Sequence, residues 1–209
     1  MKQEDTKKMI LEAALELFSE NGYDSVSVGQ IAAAVGIKAP SLYNHYQSKQ
    51  AIFDAIVAEI SAQYERDTAR LDIHVQDAGR DAPLFAHITE DHLAEKVRQM
   101  FVYSLHDRTV SRFRKLMTIE QFRSPQLAGL YTKRYVTRLT EYHAELFRRL
   151  IEAGGLMAES PDTLAAMYTA PIIVYLGICD RQPEREAECL ERLDAHVRLF
   201  YRTYNIEKR

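Results

Sequence analysis

Apolar residues recur at intervals of three and four along almost the whole chain, whereas no segment of four to eight residues alternates cleanly between apolar and polar positions. The first pattern is typical of amphipathic α-helices, and clean alternation would indicate half-buried β-strands. The sequence therefore predicts an all-α fold.

The first fifty residues divide into three short predicted helices, because turn residues interrupt the apolar pattern. The first helix is expected over residues 5–21 and ends at Gly22, since glycine readily adopts the left-handed conformation that ends helices. A short helix follows Ser27, whose hydroxyl can cap it, and Gly36 ends that helix. A third helix is expected over residues 38–46.

The rest of the chain is predicted to form a connecting helix and then a larger helical part. Ser48 can cap the connecting helix, and turn residues between positions 71 and 86 predict a loop with one short helix. The pairs Ser124-Pro125 and Ser160-Pro161 are typical helix starts. Further helices are expected over residues 89–106, 109–122, 125–153, 161–179 and 184–204.

Composition narrows the functional classes. With 209 residues, 46% of them hydrophobic and 27% charged, the chain is typical of a globular protein of one or two domains. The net charge of −3 provides no global basic field, so a nucleic-acid partner would have to bind a local patch.

Cysteine content and charge distribution indicate a cytoplasmic protein. Cys179 and Cys189 lie ten positions apart, without the spacing of a zinc site or a disulfide framework, and acidic residues near the N-terminus interrupt any signal-peptide core. Residues 163–179 carry no charge, which approaches the lower length limit of a membrane span. Their threonines, tyrosines and Pro171 favour a buried or subunit-interface helix instead.

The common catalytic motifs are absent from the sequence, including G-x-S-x-G, G-x-x-x-x-G-K-[ST], G-x-G-x-x-G and H-E-x-x-H. We therefore predict that the protein is not an enzyme and needs no cofactor. His87 and His92 are five positions apart and would diverge by about 140° around a helix, whereas a metal-binding pair four apart shares a face. No metal site is predicted.

The second and third predicted helices have the dimensions of a helix-turn-helix, in which the second helix enters the major groove of DNA. A small helical core with solvated polar residues would give the same spacing. The motifs themselves are more specific: ILEAALELF at 10–18, GY at 22–23, IAAAVGI at 31–37 and LYNHYQSK at 42–49. Over residues 10–53 the chain resembles the N-terminal DNA-binding domain of the tetracycline-repressor (TetR) family of bacterial transcriptional regulators.

This resemblance implies a DNA-binding headpiece at residues 1–47 and an effector-binding and dimerisation domain at residues 48–209. It further implies a homodimer that represses transcription at a palindromic operator and is released by a small-molecule effector. Ser27 would cap the second helix against a phosphate, Tyr43, His45 and Lys49 would hold phosphates, and Asn44 would contact either a base or the backbone. The residues nearest the bases would be Lys38, Ala39, Pro40 and Ser41.

The headpiece departs from a typical DNA-binding domain in its charge. No arginine precedes Arg66, so the commonest bidentate reader of guanine is missing and Lys38 is the nearest cation for that role. Residues 1–50 hold five lysines against six acids. The small number of cations predicts a weak dependence of DNA affinity on salt. Each phosphate that a cation neutralises adds ~0.9 to the slope of log affinity against log salt concentration.

Effector contacts are expected among inward-facing side chains after the connecting helix, although aromatic and methionine residues at helical spacing are more often core. Their aromatic character suggests an apolar or aromatic effector. His106 stands out because it could donate to a polar ligand atom, and an ordinary surface or core histidine is the alternative. The candidates are Phe101, Tyr103, His106, Met117, Gln121, Phe122, Tyr135 and Tyr142.

The last two helices are the predicted dimer surface. The last one repeats apolar residues at three- and four-residue spacing, a typical seam for a partner helix, at Leu190, Leu193, Val197, Phe200 and Tyr204. Burial of the same faces within one subunit is the alternative. A helical protein-interaction module that has lost specific DNA binding is the alternative function, since residues 1–50 are net acidic.

Overall fold

The computed structural model describes residues 3–123 and 125–206, and these residues form α-helices joined by short turns, with no β-strand. The all-α prediction is confirmed. The helices are α1 Gln3–Asn21, α2 Val28–Ala34, α3 Ala39–Tyr43, α4 Lys49–Ala69, α5 Ala78–Ala86, α6 Glu90–His106, α7 Arg108–Glu120, α8 Pro125–Thr132, α9 Arg138–Glu152, α10 Pro161–Arg181 and α11 Glu186–Tyr204.

Serine side chains begin several helices, as their positions predicted. The Ser48 hydroxyl accepts a hydrogen bond from the Ala51 amide at 3.0 Å, and the Ser160 hydroxyl accepts one from the Thr163 amide at 3.3 Å. These bonds satisfy amides that have no partner within the helix. The predicted start at Ser124-Pro125 involves Ser124, which lies outside the described residues.

The prediction of one unbroken helix over residues 125–153 is wrong, because a π-helical turn at Lys133–Thr137 separates α8 from α9. Apolar periodicity could not reveal this turn, since the helical pattern continues on both sides of it. The predicted short helix between residues 71 and 86 is α5, which the Asp77 side chain caps.

The chain divides into two compact units. The N-terminal unit comprises Met1–Tyr64 and Arg108–Gly129, and the C-terminal unit comprises Glu65–Asp107 and Leu130–Arg209. The chain therefore returns to the N-terminal unit with α7 after forming α5 and α6 elsewhere.

In the N-terminal unit α7 packs against α1. The rings of Phe18, Tyr23, Phe53 and Phe113 form a continuous aromatic cluster, with neighbouring centroids 5.1–6.3 Å apart. All of these phenylalanines are less than 2% exposed. Burial of side chains this large contributes strongly to stability, so α7 is an integral part of this unit's core.

The C-terminal unit is built around α9, α10 and α11, with α5 against α9 and α6 against α11. Most of the α11 seam predicted to meet a partner helix lies in this core: Leu193 and Val197 are 1% exposed and Phe200 is 7% exposed. These three residues therefore bury their side chains within one subunit, which was the alternative considered for them. The regular spacing marks an apolar face but does not identify the helix that covers it.

Helix α10 is long and apolar enough to cross a membrane by length and composition, yet only 28% of its most apolar stretch is buried within the protein. The remaining apolar surface includes Met167 and Val174, which are 50% and 55% exposed. They lie seven positions apart and therefore on the same face of the helix.

A substitution at Gly22 measures how closely the end of α7 packs against the turn after α1. Its φ is +83°, and a Cβ atom there would lie 2.9 Å from both Glu120 Oε1 and Arg123 Nη1. Gly36 has a φ of +71° but open space around its Cα. Gly36→Ala should therefore lower the free energy of unfolding only by the cost of the left-handed backbone, about 1–2 kcal/mol. Gly22→Ala should lower it by a further ~1 kcal/mol or more, because the buried Glu120 carboxylate cannot turn away.

Chemical denaturation followed by circular dichroism measures both variants under identical conditions. Equal losses in the two variants would contradict a close contact between Glu120 and the Gly22 turn.

Candidate nucleic-acid interface and ligand cavity

Helix α3 presents a row of polar side chains around one buried anchor. Leu42 is fully buried, which fixes the short helix against the headpiece core. Lys38, Ser41, Tyr43 and Asn44 are exposed around it. Pro40 is likewise exposed, Ala39 is half-buried, and Lys38 precedes the helix without capping it through its side chain. These side chains are therefore available to an external partner.

Ser27 begins α2 through a reciprocal pair of hydrogen bonds. Its hydroxyl accepts from the Gln30 amide at 3.2 Å, and the Gln30 side-chain oxygen accepts from the Ser27 amide at 2.8 Å. The hydroxyl also donates to that oxygen at 2.9 Å. The predicted capping role is confirmed, and the arrangement keeps α2 in register ahead of α3.

The Lys49 ammonium points into the headpiece. It donates to the carbonyls of Tyr23, Val26 and Asp24 at 2.9, 3.0 and 3.3 Å, and it lies 4.4 Å from the centroid of the Tyr23 ring. An ammonium has three N–H donors, so this set uses all of them. A phosphate contact by the same group would require at least one of these bonds to break.

One ring nitrogen of His45, Nδ1, is buried without a hydrogen-bond partner among the described residues. The ring as a whole is half-buried, so Nε2 is the atom left to bond an external group. Tyr43, two positions earlier, is 51% exposed.

Glu120 connects the end of α7 to the turn that precedes α2. Its carboxylate is 1% exposed, accepts a hydrogen bond from the Tyr23 amide at 3.3 Å, and pairs with Arg123 at 3.1 Å. A second link joins Glu16 of α1 to Arg112 of α7 at 3.0 Å. A buried carboxylate is stable only when hydrogen-bonded or paired, so Glu120 holds this turn in one position.

The eight residues predicted to bind an effector do not come together in one unit. Met117, Gln121 and Phe122 belong to the N-terminal unit, where Met117 is fully buried and Phe122 is 89% exposed. Phe101, Tyr103, His106, Tyr135 and Tyr142 belong to the C-terminal unit.

Several of the candidates in the C-terminal unit have structural partners. The Tyr103 hydroxyl donates to Asp67 at 2.9 Å, and His106 Nε2 lies 2.8 Å from Glu186 at an exposed position. The Tyr142 hydroxyl donates to the buried Asp81 carboxylate. Burial and that hydrogen bond both raise the pKa of Tyr142.

The C-terminal unit contains a cavity of about 50 Å³, and none of the eight predicted residues lines it. Its walls include His143, Phe147, Tyr168 and Phe200. His143 and Phe147 are four positions apart on α9 and so share a helix face, which is the signal in the sequence that could have selected them.

Metal ligands do not gather in the part of the chain that the structure describes, since no three histidine, cysteine or acidic side chains are placed to share an ion. Cys179 and Cys189 are both buried and free. Burial raises the pKa of the Cys179 thiol to about 12, which leaves it protonated and unreactive at neutral pH.

Comparison with known proteins connects this headpiece to a family. The sequence model described as "Bacterial regulatory proteins, tetR family" matches residues 10–56. The HTH-type transcriptional regulator UidR of Escherichia coli K12 is 28% identical over 198 residues, which cover 92% of this chain and 91% of UidR.

Solved structures share the fold over nearly the whole chain. A candidate TetR-family transcriptional regulator from Mesorhizobium loti superimposes with a TM-score of 0.72 at 20% identity, covering 99% of this chain and all of that one. SmeT, described as the repressor of the Stenotrophomonas maltophilia multidrug efflux pump SmeDEF, superimposes in its triclosan complex with a TM-score of 0.70 at 22% identity, covering 97% of this chain and 92% of SmeT.

The motifs in the headpiece, the exposed polar side chains of α3 and these relatives agree with one another. The relatives are regulators of transcription, the class that the sequence predicted in place of an enzyme. Residues 10–56 of this chain match the tetR-family model of bacterial regulatory proteins, and the chain as a whole shares the fold of TetR-family regulators.

Proposed function

We propose that this protein is a cytoplasmic homodimeric repressor that occupies a palindromic operator and is released from it by a small-molecule effector. Residues 1–47 bind DNA in this proposal, and residues 48–209 bind the effector and form the dimer.

The observation that carries the DNA-binding proposal is the exposed polar surface of α3 around the buried Leu42. The N-terminal residues of a recognition helix contact base edges, and flanking polar groups contact phosphates. Lys38 and Ser41 are therefore assigned to base edges, while Tyr43 and His45 are assigned to the backbone. Asn44 can serve either purpose because its amide both donates and accepts.

The dimer proposal rests on the exposed apolar face of α10. Met167 and Val174 expose half of their surfaces or more, and Ala170 is exposed between them. Leu199 of α11 is 66% exposed. Contiguous apolar surface of this kind favours association with a second copy, because burial removes it from water. The surface is thus formed by α10 together with the outer side of α11.

The release proposal is supported by SmeT, a repressor of the same fold that has been crystallised with triclosan. An effector can release DNA only if it binds more tightly to a conformation in which the headpieces no longer match successive major grooves, about 34–36 Å apart.

The first test is selection of bound sequences from random duplexes at two salt concentrations. We expect an enriched palindrome whose half-sites lie about one helical turn apart. The affinity for it should fall only weakly with salt, because the headpiece offers few cations to phosphates. A folded dimer that enriches no sequence would contradict repression and favour the protein-interaction module.

The second test separates the roles of two lysines. Lys49→Ala should lower the free energy of unfolding by about 1–3 kcal/mol, because the carbonyls of the half-buried Tyr23 and the buried Val26 lose their donor. Lys38→Ala, the matched exposed control, should leave stability within ~0.5 kcal/mol of wild type. The Lys38 variant should instead lose ~1–3 kcal/mol of operator affinity and relax sequence preference.

Denaturation curves and DNA titrations on both variants provide these values. If Lys49→Ala unfolds like wild type while its DNA affinity becomes less salt-dependent, the Lys49 ammonium contacts phosphate and the internal assignment is wrong.

The third test places charge on the exposed face of α10. The double variant Met167→Glu and Val174→Glu should be a monomer in sedimentation equilibrium, whereas the wild type should have twice the 24.1 kDa chain mass. Leu84→Glu, at a 42% exposed apolar position on α5, is the control and should remain dimeric. A dimeric double variant would exclude this face as the interface.

A further inference from the structure

We propose that the cavity in the C-terminal unit binds a small neutral molecule with an apolar ring or chain and one hydrogen-bond donor, which His143 accepts. This inference rests on the proposed function, because it names the chemical class of the effector.

The side chains that line the cavity carry no formal charge at neutral pH. None of the side chains that line it is an acid, a lysine or an arginine, and most are aliphatic or aromatic, as Leu146, Leu150, Phe147 and Phe200 illustrate. A charged ligand would lose its hydration there without gaining a partner of opposite charge. The site therefore selects neutral and largely apolar molecules.

His143 provides the directional polar group. Its Nδ1 lies 2.8 Å from the Leu139 carbonyl oxygen, which can only accept, so Nδ1 carries the proton. Nε2, at the far end of the ring, is then an acceptor, and no group within the described residues bonds to it. The ligand atom that meets Nε2 must consequently be a donor such as a hydroxyl.

The His143 ring is held in a fixed position. Its centroid lies 5.1 Å from the ring of Tyr142, 5.1 Å from that of Tyr168 and 5.9 Å from that of Phe147. Burial lowers the pKa of His143 to about 4, so the imidazole stays neutral and keeps its acceptor at physiological pH. Burial likewise raises the pKa of the Tyr168 hydroxyl, which remains protonated.

The other tyrosine of the wall has its proton engaged. The Tyr201 hydroxyl already donates to the Ile88 carbonyl at 2.9 Å. His143 Nε2 and the Tyr201 oxygen can therefore only accept, and neither of them offers a proton to a ligand.

The volume of the cavity links binding to a conformational response. At about 50 Å³ it is a third of the ~150 Å³ in which an apolar protein cavity holds benzene. A ring can enter only if wall side chains on α9, α10 or α11 move. A ligand that favours the moved arrangement shifts the population of conformations, which an effector must do.

The experiment compares three probes of similar size by titration calorimetry: phenol, toluene and benzoate. Phenol and toluene have nearly the same shape, but only phenol donates a hydrogen bond, and benzoate carries a charge. We expect the wild type to bind phenol about fivefold more tightly than toluene, the typical net value of one hydrogen bond. Benzoate should bind more weakly than either.

Two variants locate the acceptor. His143→Phe keeps an aromatic ring but removes Nε2, so phenol and toluene should bind it with equal affinity. His106→Phe makes the same change at an exposed histidine and should retain the wild-type preference. The ¹⁵N resonance of the unprotonated His143 Nε2 in wild type should move with phenol and not with toluene, a readout that does not depend on the folding of a variant.

Equal binding of phenol and toluene by wild type, or benzoate binding as tight as phenol, would overturn the inference. So would a preference that is lost in His106→Phe and kept in His143→Phe. The operator selection is independent of these titrations, so a protein that binds its palindrome but ignores phenol rejects this site alone. A protein that binds phenol through His143 but enriches no DNA sequence rejects the proposed function alone.

Discussion

The turn between α1 and α2 is the constraint on which the headpiece depends. Residues 22–27 between the two helices leave backbone groups without helical partners, and two charged side chains from distant positions satisfy them. The Lys49 ammonium binds the carbonyls of Tyr23, Asp24 and Val26, and the Glu120 carboxylate accepts from the Tyr23 amide. Gly22 permits this close approach through its positive φ and its missing Cβ. The turn is held by the Lys49 ammonium of α4 and the Glu120 carboxylate of α7, which carry opposite charges. The orientation of α2, and with it that of α3, depends on this turn.

The sequence predicts what local interactions determine. Ser27 and Ser160 begin helices by bonding to amides three positions away, so their roles can be derived from short segments. The place of α7 depends instead on pairing with α1, and the Glu16–Arg112 contact joins residues 96 positions apart in the chain. Nothing in the sequence separates the buried Glu120 from the many solvated carboxylates. Lys49 likewise matches the pattern of a phosphate ligand, because its intramolecular partners are carbonyls that every residue possesses.

The position of the cavity proposed for an effector cannot be derived from the sequence, for a related reason. An aromatic residue at helical spacing is apolar whether it faces a cavity, a core or water. Phe101 is buried in the core, Phe147 lines the cavity, and Phe122 is 89% exposed. Their positions become distinguishable only after the helices have packed. His143 differs from the others because its value lies in an unused lone pair, and that property depends on the Leu139 carbonyl one helical turn earlier. A histidine in a helix always has such a carbonyl nearby, so the sequence permits this arrangement without requiring it.

The internal use of Lys49 also bears on how a headpiece of low positive charge can be selective. Binding to DNA of arbitrary sequence depends almost entirely on the neutralisation of phosphates by cations. This headpiece has more acids than lysines, and carbonyl groups already bind the ammonium of Lys49. Neutralisation of phosphates therefore contributes little to its affinity for DNA. In the proposed DNA interface, neutral donors and acceptors such as Ser41 and Asn44 would contribute only where geometry and sequence match. Weak electrostatic attraction therefore lowers the affinity for non-specific DNA more than the affinity for the operator. Genomic DNA presents a vast excess of non-specific sites, so the ratio of these two affinities determines how often the operator is occupied.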